Sequence, residues 1–405
     1  MRKYSVLIFI IFLISCSNQS RNYSFTKEQV ASLHLDSTTI LRTESDSAIQ
    51  VDLNPFLEKE KRFDLGSLIK EIKFVPLETT DESLLDYIMK IVVTDSHIYI
   101  MDGLQGGGLA IFDSKGKFIK RISHGSGPGE LINLYDIAYD IENEELIAYQ
   151  HPFLLFFTPS GKFIRQVRLP FGAHNFTTIP GGYLFKTLDR QGNEHLDRFE
   201  DYTLLVTDKK FKLKSVGMFN LPTNINYGGY NYLYNNKGNI KVTQTYTDTI
   251  YQYLDSTNQL KAKYVINYDD KKLPDHYLKG SYADFRNAIN QNNYYYYLGE
   301  YLETDAQSIF FLRNNYIKLM TIVYLDKMSG HLIGGTNADY NTKEIPPVGF
   351  PNAVWGNYFI SPYLPGKNDA QLYNSSLLSD ADKDKIRKFK EEDNPILVFF
   401  QLKNF

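Results

Sequence analysis

Ile111-Phe112-Asp113-Ser114-Lys115-Gly116-Lys117-Phe118-Ile119 and Phe156-Phe157-Thr158-Pro159-Ser160-Gly161-Lys162-Phe163-Ile164 are one pattern written twice, 45 residues apart. An internal repeat constrains a fold more than any single motif. Each copy must be one structural unit that buries its faces against the next. Here each copy reads as strand, tight turn, strand. The glycine ends the turn, where a positive φ closes a hairpin with the right twist. The run after it alternates polar and apolar side chains, as a half-buried strand does.

Fainter copies follow. Residues 206–213 form a third, with Phe211 set against Phe163 at an offset of 48. Residues 253–261 and 323–332 form a fourth and a fifth. Further strand pairs precede the hairpins, at 88–94 with 97–101 and at 134–140 with 145–149; those assigned to the fourth copy are 239–242 and 249–253. Four short strands in about 45 residues is the length of one propeller blade. Aromatic residues make up 15% of the chain, which suits pleated, half-buried surfaces.

Five hairpins leave the ends to place. Residues 72–77 and 394–402 read as strands, with 353–355 and 358–360 ahead of the latter. Together they build a sixth blade from both termini, because an open ring leaves a bare sheet edge. The expected fold is all-β: a six-bladed β-propeller over residues 51–405, closed by N- and C-terminal strands, with five or seven blades as the alternatives. Short helical insertions are expected at 282–290 and 379–392, packed outside the ring.

The chain begins with Arg2, Lys3 and an apolar run over residues 4–14. A membrane-spanning helix needs about 20 apolar residues, so residues 1–15 read as a signal peptide. Leu13-Ile14-Ser15-Cys16 resembles the bacterial lipobox, whose cysteine is lipidated and becomes the first mature residue. Cys16 is the sole cysteine, so no intrachain disulfide can form and the core must supply the stability. Residues 16–50 are rich in Ser, Thr, Asn, Gln and Asp and read as a flexible tether. Without residues 1–15 the chain has 42 basic and 47 acidic side chains. That mildly acidic balance argues against nucleic acid as a partner.

Taken together, the chain resembles the six-bladed β-propeller lipoproteins of the Bacteroidota, a group close to NHL-type propellers. The residues that carry the resemblance are Val75-Pro76-Leu77-Glu78-Thr79, Ile98-Tyr99-Ile100-Met101-Asp102, Gly125-Ser126-Gly127-Pro128-Gly129-Glu130 and Asp393-Asn394-Pro395-Ile396. The resemblance covers residues 60–405. It implies an exported, lipid-anchored protein of the cell envelope, at the outer membrane, and carries no catalytic signature. Ser17-Asn18-Gln19-Ser20-Arg21 departs from the acidic cluster that marks surface export in such lipoproteins, so the side it faces stays open.

Chemistry is sparse. No two of the eight histidines lie three to five residues apart, so zinc-ligand spacing is missing. Asp269-Asp270 and Asp380-Ala381-Asp382-Lys383-Asp384 read as a turn and a helix start rather than a calcium loop. Gly125 to Gly129 has neither a following helix nor the Lys-Ser/Thr of a phosphate loop. Ser126 has His124 where a nucleophile elbow needs glycine. No metal, cofactor or catalytic set is assigned.

One location stands out. In a propeller, the connections from each outer strand to the next inner strand ring one mouth of the central channel. His124, Glu130, His174, Asn226 and Tyr227 fall in such connections, and Trp355 lies near the ring closure. These six are the candidate ligand contacts, for a small molecule, glycan or protein. A binding or scaffold module is the favoured reading. The alternative is a propeller enzyme of lyase, lactonase or glycosidase type, which needs several acidic or imidazole groups converging in the channel.

Overall fold

The structure is a computed structural model that describes residues 25–57, 62–103, 108–188, 192–225, 228–229, 231–314, 320–339, 348, 350–364 and 377–405. Cys16, Asn226 and Tyr227 lie outside the described residues.

Six sheets, each built on four antiparallel strands, form the ring. Blade 1 is Ile88–Val93, His97–Asp102, Leu109–Asp113 and Phe118–Ile122. Blade 2 is Asp136–Asp140, Glu145–Gln150, Phe153–Phe157 and Phe163–Arg168. Blade 3 is Asn175–Ile179, Gly182–Lys186, Tyr202–Asp208 and Leu213–Phe219. Blade 4 is Leu233–Asn236, Asn239–Val242, Thr249–Leu254 and Gln259–Asn267. Blade 5 is Tyr301–Glu303, Gln307–Arg313, Met320–Asp326 and Leu332–Gly335. Blade 6 takes Ala353–Trp355, Tyr358–Tyr363 and Ile396–Leu402 from the C-terminal part, and Ile69–Pro76 from the N-terminal part. The closing pair is antiparallel, from Ile396 opposite Pro76 to Leu402 opposite Ile69.

Strand alternation makes this a ring. In the second strand of blade 2, Leu146 and Ala148 face blade 1 and pack near Tyr99 and Ile111. Ile147 and Tyr149 face blade 3 and pack near Phe176 and Phe185. Both faces are therefore apolar, and each of the six seams has its own buried cluster.

Three expectations change. Residues 25–50 are not a free tether. After the short helix Lys27–Ser32, the chain adds Thr39–Ile40 in parallel to the outer edge of blade 3. It then adds Arg42–Glu44 and Ile49–Asp52 to the outer edge of blade 4. Leu33, Leu41, Val51 and Leu53 are buried and pin this strap. Phe211 is not the counterpart of Phe163. It occupies the turn position of Gly161, with φ 64°, and Leu213 begins the outer strand. The first strand of blade 4 is Leu233–Asn236, one strand earlier than the alternation indicated.

Helices Tyr282–Gln291 and Asp380–Arg387 form where expected, capped by Ser281 and Ser379. A further helix, Asp275–Lys279, precedes the first. The first insertion packs on the connections that flank blade 4. Phe285, Ala288 and Ile289 pack with Ile225, Tyr296 and Leu298 over the blade 4 to blade 5 connection.

Candidate ligand-binding site at the channel mouth

Because strands alternate in direction, connections leaving outer strands and those leaving second strands share one face. A cavity of about 810 Å³ opens on that face. All six blades reach it: Lys90 from blade 1, Asp136 from blade 2, His174 at the start of blade 3, Tyr234 from blade 4, Tyr301 from blade 5 and Asn352 ahead of blade 6.

The far end of the channel is crossed by the first turn of blade 4. Asn236 and Gly356 exchange hydrogen bonds of 2.9 and 3.2 Å. The Asn236 Nδ2 also donates to the Glu303 carbonyl at 3.2 Å, and Asn235 Nδ2 donates to Thr177 Oγ1 at 3.0 Å. One residue pair thus ties blade 4 to blades 3, 5 and 6 beneath the cavity.

The floor carries charge in matched pairs. Asp136 is buried and accepts from Lys90 Nζ at 2.6 Å, from Ile137 N at 2.9 Å and from Phe176 N at 2.8 Å. Arg313 grips Glu300 with two bonds, 2.9 and 2.5 Å. Asp102 accepts from Arg121 at 2.9 Å. Such pairing offsets the cost of taking these charges out of water.

The rim is apolar and aromatic. Tyr87, Ile132, Tyr135 and Phe350 are exposed large side chains that line the cavity. Their positions are set by the strands beneath. Asp102 Oδ1 accepts from Tyr87 N at 3.0 Å. Ile132 N donates to Gln150 Oε1, and Tyr135 N donates to the Tyr149 carbonyl, each at 2.8 Å. Asn133, Asn231 and Asn352 add amides between the rings.

The site residues read from sequence divide. His124 is exposed and lines the cavity. His174 lines it too, its backbone N–H donating to the Lys186 carbonyl at 2.8 Å. Burial holds the His174 imidazole below the usual histidine value, against the pull of Asp136 and the Gly229 backbone. Glu130 is not among the lining residues; its Oε2 accepts from Gly127 N at 2.7 Å, so the carboxylate caps its own loop. Trp355 is corrected too. It ends the inner strand of blade 6 on the opposite face, stacked on Tyr358 at 6.2 Å with Lys237 Nζ 5.7 Å from its ring. The paired charges and the rim tyrosines were missed. Tyr87 and Tyr135 stand just before inner strands, and Asp136 begins one, so their place in the repeat was the available signal.

Behind His174, in the seam between blades 3 and 4, Lys186 is 2% exposed. Its Nζ donates to Thr203 Oγ1 at 2.6 Å, and burial lowers its pKa to about 7. Among the described residues, no three His, Cys, Asp or Glu side chains converge as a metal shell.

A ring of six radial sheets with a pocket at one mouth defines a six-bladed β-propeller. A family profile described as a domain of unknown function, DUF4934, matches residues 48–401, and the chain belongs to that family. It is similar in structure to a protein of Bacteroides fragilis NCTC 9343 classed as exported. The TM-score is 0.70 at 20% identity, covering 88% of this chain and 100% of that one. At that identity the likeness shows the fold. The extracellular domain of a one-component system of B. thetaiotaomicron aligns with a TM-score of 0.34 at 14% identity, over 74% of this chain and 31% of that one. No curated protein matches the chain.

Proposed function

We propose that the chain is a lipid-anchored, exported binding module of the cell envelope that takes a neutral saccharide at its channel mouth. The observation that carries this reading is the exposed rim of Tyr87, Tyr135 and Phe350 above a floor of paired charges. Sugar rings stack their C–H faces on aromatic side chains, and their hydroxyls bond to amides and carboxylates. A charged ligand gains little where each acid of the floor already holds a cation. Leu13-Ile14-Ser15-Cys16 supports export and anchoring.

Titration calorimetry of the propeller against neutral oligosaccharides tests the site. Tyr87→Ala and Tyr135→Ala should each weaken binding about tenfold, the equivalent of about 1.4 kcal/mol. Unchanged affinity in both variants, or retention of charged peptides in place of sugars, overturns the assignment.

A further inference from the structure

We propose that the pocket-bearing face of the propeller lies against the lipid bilayer; this rests on the lipid anchor at Cys16. The first observation is the distribution of apolar surface. Among the described residues, fifteen large apolar side chains are exposed, and nine of them lie on the pocket face, eight in connections and Phe219 at the end of the outer strand of blade 3. Leu84, Tyr87, Ile132 and Tyr135 stand over blades 1 and 2, and Phe350 and Leu364 over blade 6. Phe219, Leu221 and Tyr282 continue the surface over blades 3 and 4. The opposite face has two, Ile141 and Met328, each alone at a turn tip. Scattered apolar residues need no explanation, but a face that gathers them marks a docking surface.

The second observation is where the chain leaves the ring. Phe25 packs its ring 4.3 Å from that of His195. His195 Nε2 lies 2.7 Å from the Pro170 carbonyl, and Asn193 Oδ1 accepts from Gly172 N at 2.8 Å. Both contacts hold the connection that leads into His174 of the pocket. Phe25, the first described residue, therefore lies on the pocket face. From there the strap runs outward: the Leu33 carbonyl accepts from Leu213 N, at the far-face end of the outer strand of blade 3. Since the strap is bound to the ring, the connection from Cys16 to Phe25 is nine peptide units, about 30 Å when fully extended. A tether that short holds the face it leaves from near the lipid.

These observations are independent and agree on one face. The occupant they fit is a bilayer rather than an anionic surface in particular. The mature chain is net acidic, so insertion of Leu, Ile, Tyr and Phe side chains into the interface supplies the attraction. The pocket then opens on the headgroup layer, where a saccharide carried on a lipid reaches it without leaving the membrane.

The experiment uses the full lipidated chain in vesicles of phosphatidylcholine and phosphatidylethanolamine. A fluorophore is attached at Leu84→Cys or at Met328→Cys, and headgroup-labelled quencher lipid is added. Flotation with the vesicles, lost in Cys16→Ser, reports the anchor separately. Strands of about 17–20 Å separate the two faces, so quenching of about twofold or more is expected at position 84 and none at 328. The signal should persist in high salt, because the contact is apolar. Flotation with equal quenching at both positions, or more at 328, overturns the orientation while leaving the anchor intact. Quenching at 84 in native membranes but not in pure lipid vesicles overturns it in favour of a protein partner.

Discussion

Lys186 takes an ammonium group into the seam between blades 3 and 4, where a hydroxyl and the Tyr232 ring meet it instead of a carboxylate. Burial brings its pKa from 10.5 to about 7. Between those values the unfolded chain holds a proton that the folded chain has released. Stability therefore rises with pH across that window. Burial also lowers His97, His151, His174 and His195, so unfolding takes up protons below about pH 6.5 and stability falls on acidification. Lys186→Met should stabilise the fold by about 2 kcal/mol at pH 7 and flatten the rise toward pH 10, measured by denaturant unfolding across pH. A less stable variant means that the ammonium has a favourable role in the seam. None of this was legible in Gly182-Tyr183-Leu184-Phe185-Lys186, which reads as a strand ending at water. Whether a terminal lysine meets solvent or a neighbouring blade is decided by residues beside the strands of blade 4, Tyr232 and Gln244, 46 and 58 positions further on.

The hairpins between third and outer strands show how far a repeat can be read. A side chain at the start of the turn caps its backbone in four blades. Asp113 accepts from Lys115 N and Lys117 N, Thr158 from Lys162 N, Asp208 from Lys210 N and Lys212 N, and Asp326 from Met328 N and Ser329 N. The position that follows needs a left-handed backbone. Gly116, Gly161 and Gly330 supply it freely, while Asn258 and Phe211 adopt it at some cost. Phe211 offsets that cost by stacking on Tyr183 at 5.3 Å, nearly parallel. This is why the third copy was misaligned: a buried aromatic there looks like the first apolar residue of a strand. Close approach separates the glycines. A Cβ on Gly330 meets nothing within 4 Å, whereas one on Gly116 runs into the Pro76 carbonyl of blade 6. Gly330→Ala should therefore cost about 1 kcal/mol, from backbone strain alone. Gly116→Ala should cost about 3 kcal/mol, because it also displaces a neighbouring blade. Equal losses in denaturant unfolding would remove Gly116 as a blade-to-blade contact.

At the scale of the molecule, the ring and the strap are held by different interactions. The ring closes through Ile69–Pro76 against Ile396–Leu402, and both strands are apolar enough to stand out in the sequence. The strap was hidden because it covers edges rather than seams. Ile49–Asp52 buries one residue in four, Val51, and Thr39–Ile40 buries none. Such a segment has the composition of a linker, yet its backbone completes the hydrogen-bonding edges of blades 3 and 4. Blades 1 and 2 have no added strand among the described residues, and their outer strands carry the exposed Lys120, Arg165 and Arg168. Charge there does what the strap does elsewhere, discouraging edge-to-edge pairing. The strap should therefore detach without opening the ring. In the double variant Leu41→Asp, Val51→Asp, two buried anchors become charged and must leave their sites. Limited proteolysis should then cut within residues 33–57 while the remainder stays resistant, and light scattering should show association through the bared edges of blades 3 and 4. Loss of the whole chain to protease in one step would make strap and ring a single cooperative unit, with the N-terminal strands as necessary to the propeller as its closing pair.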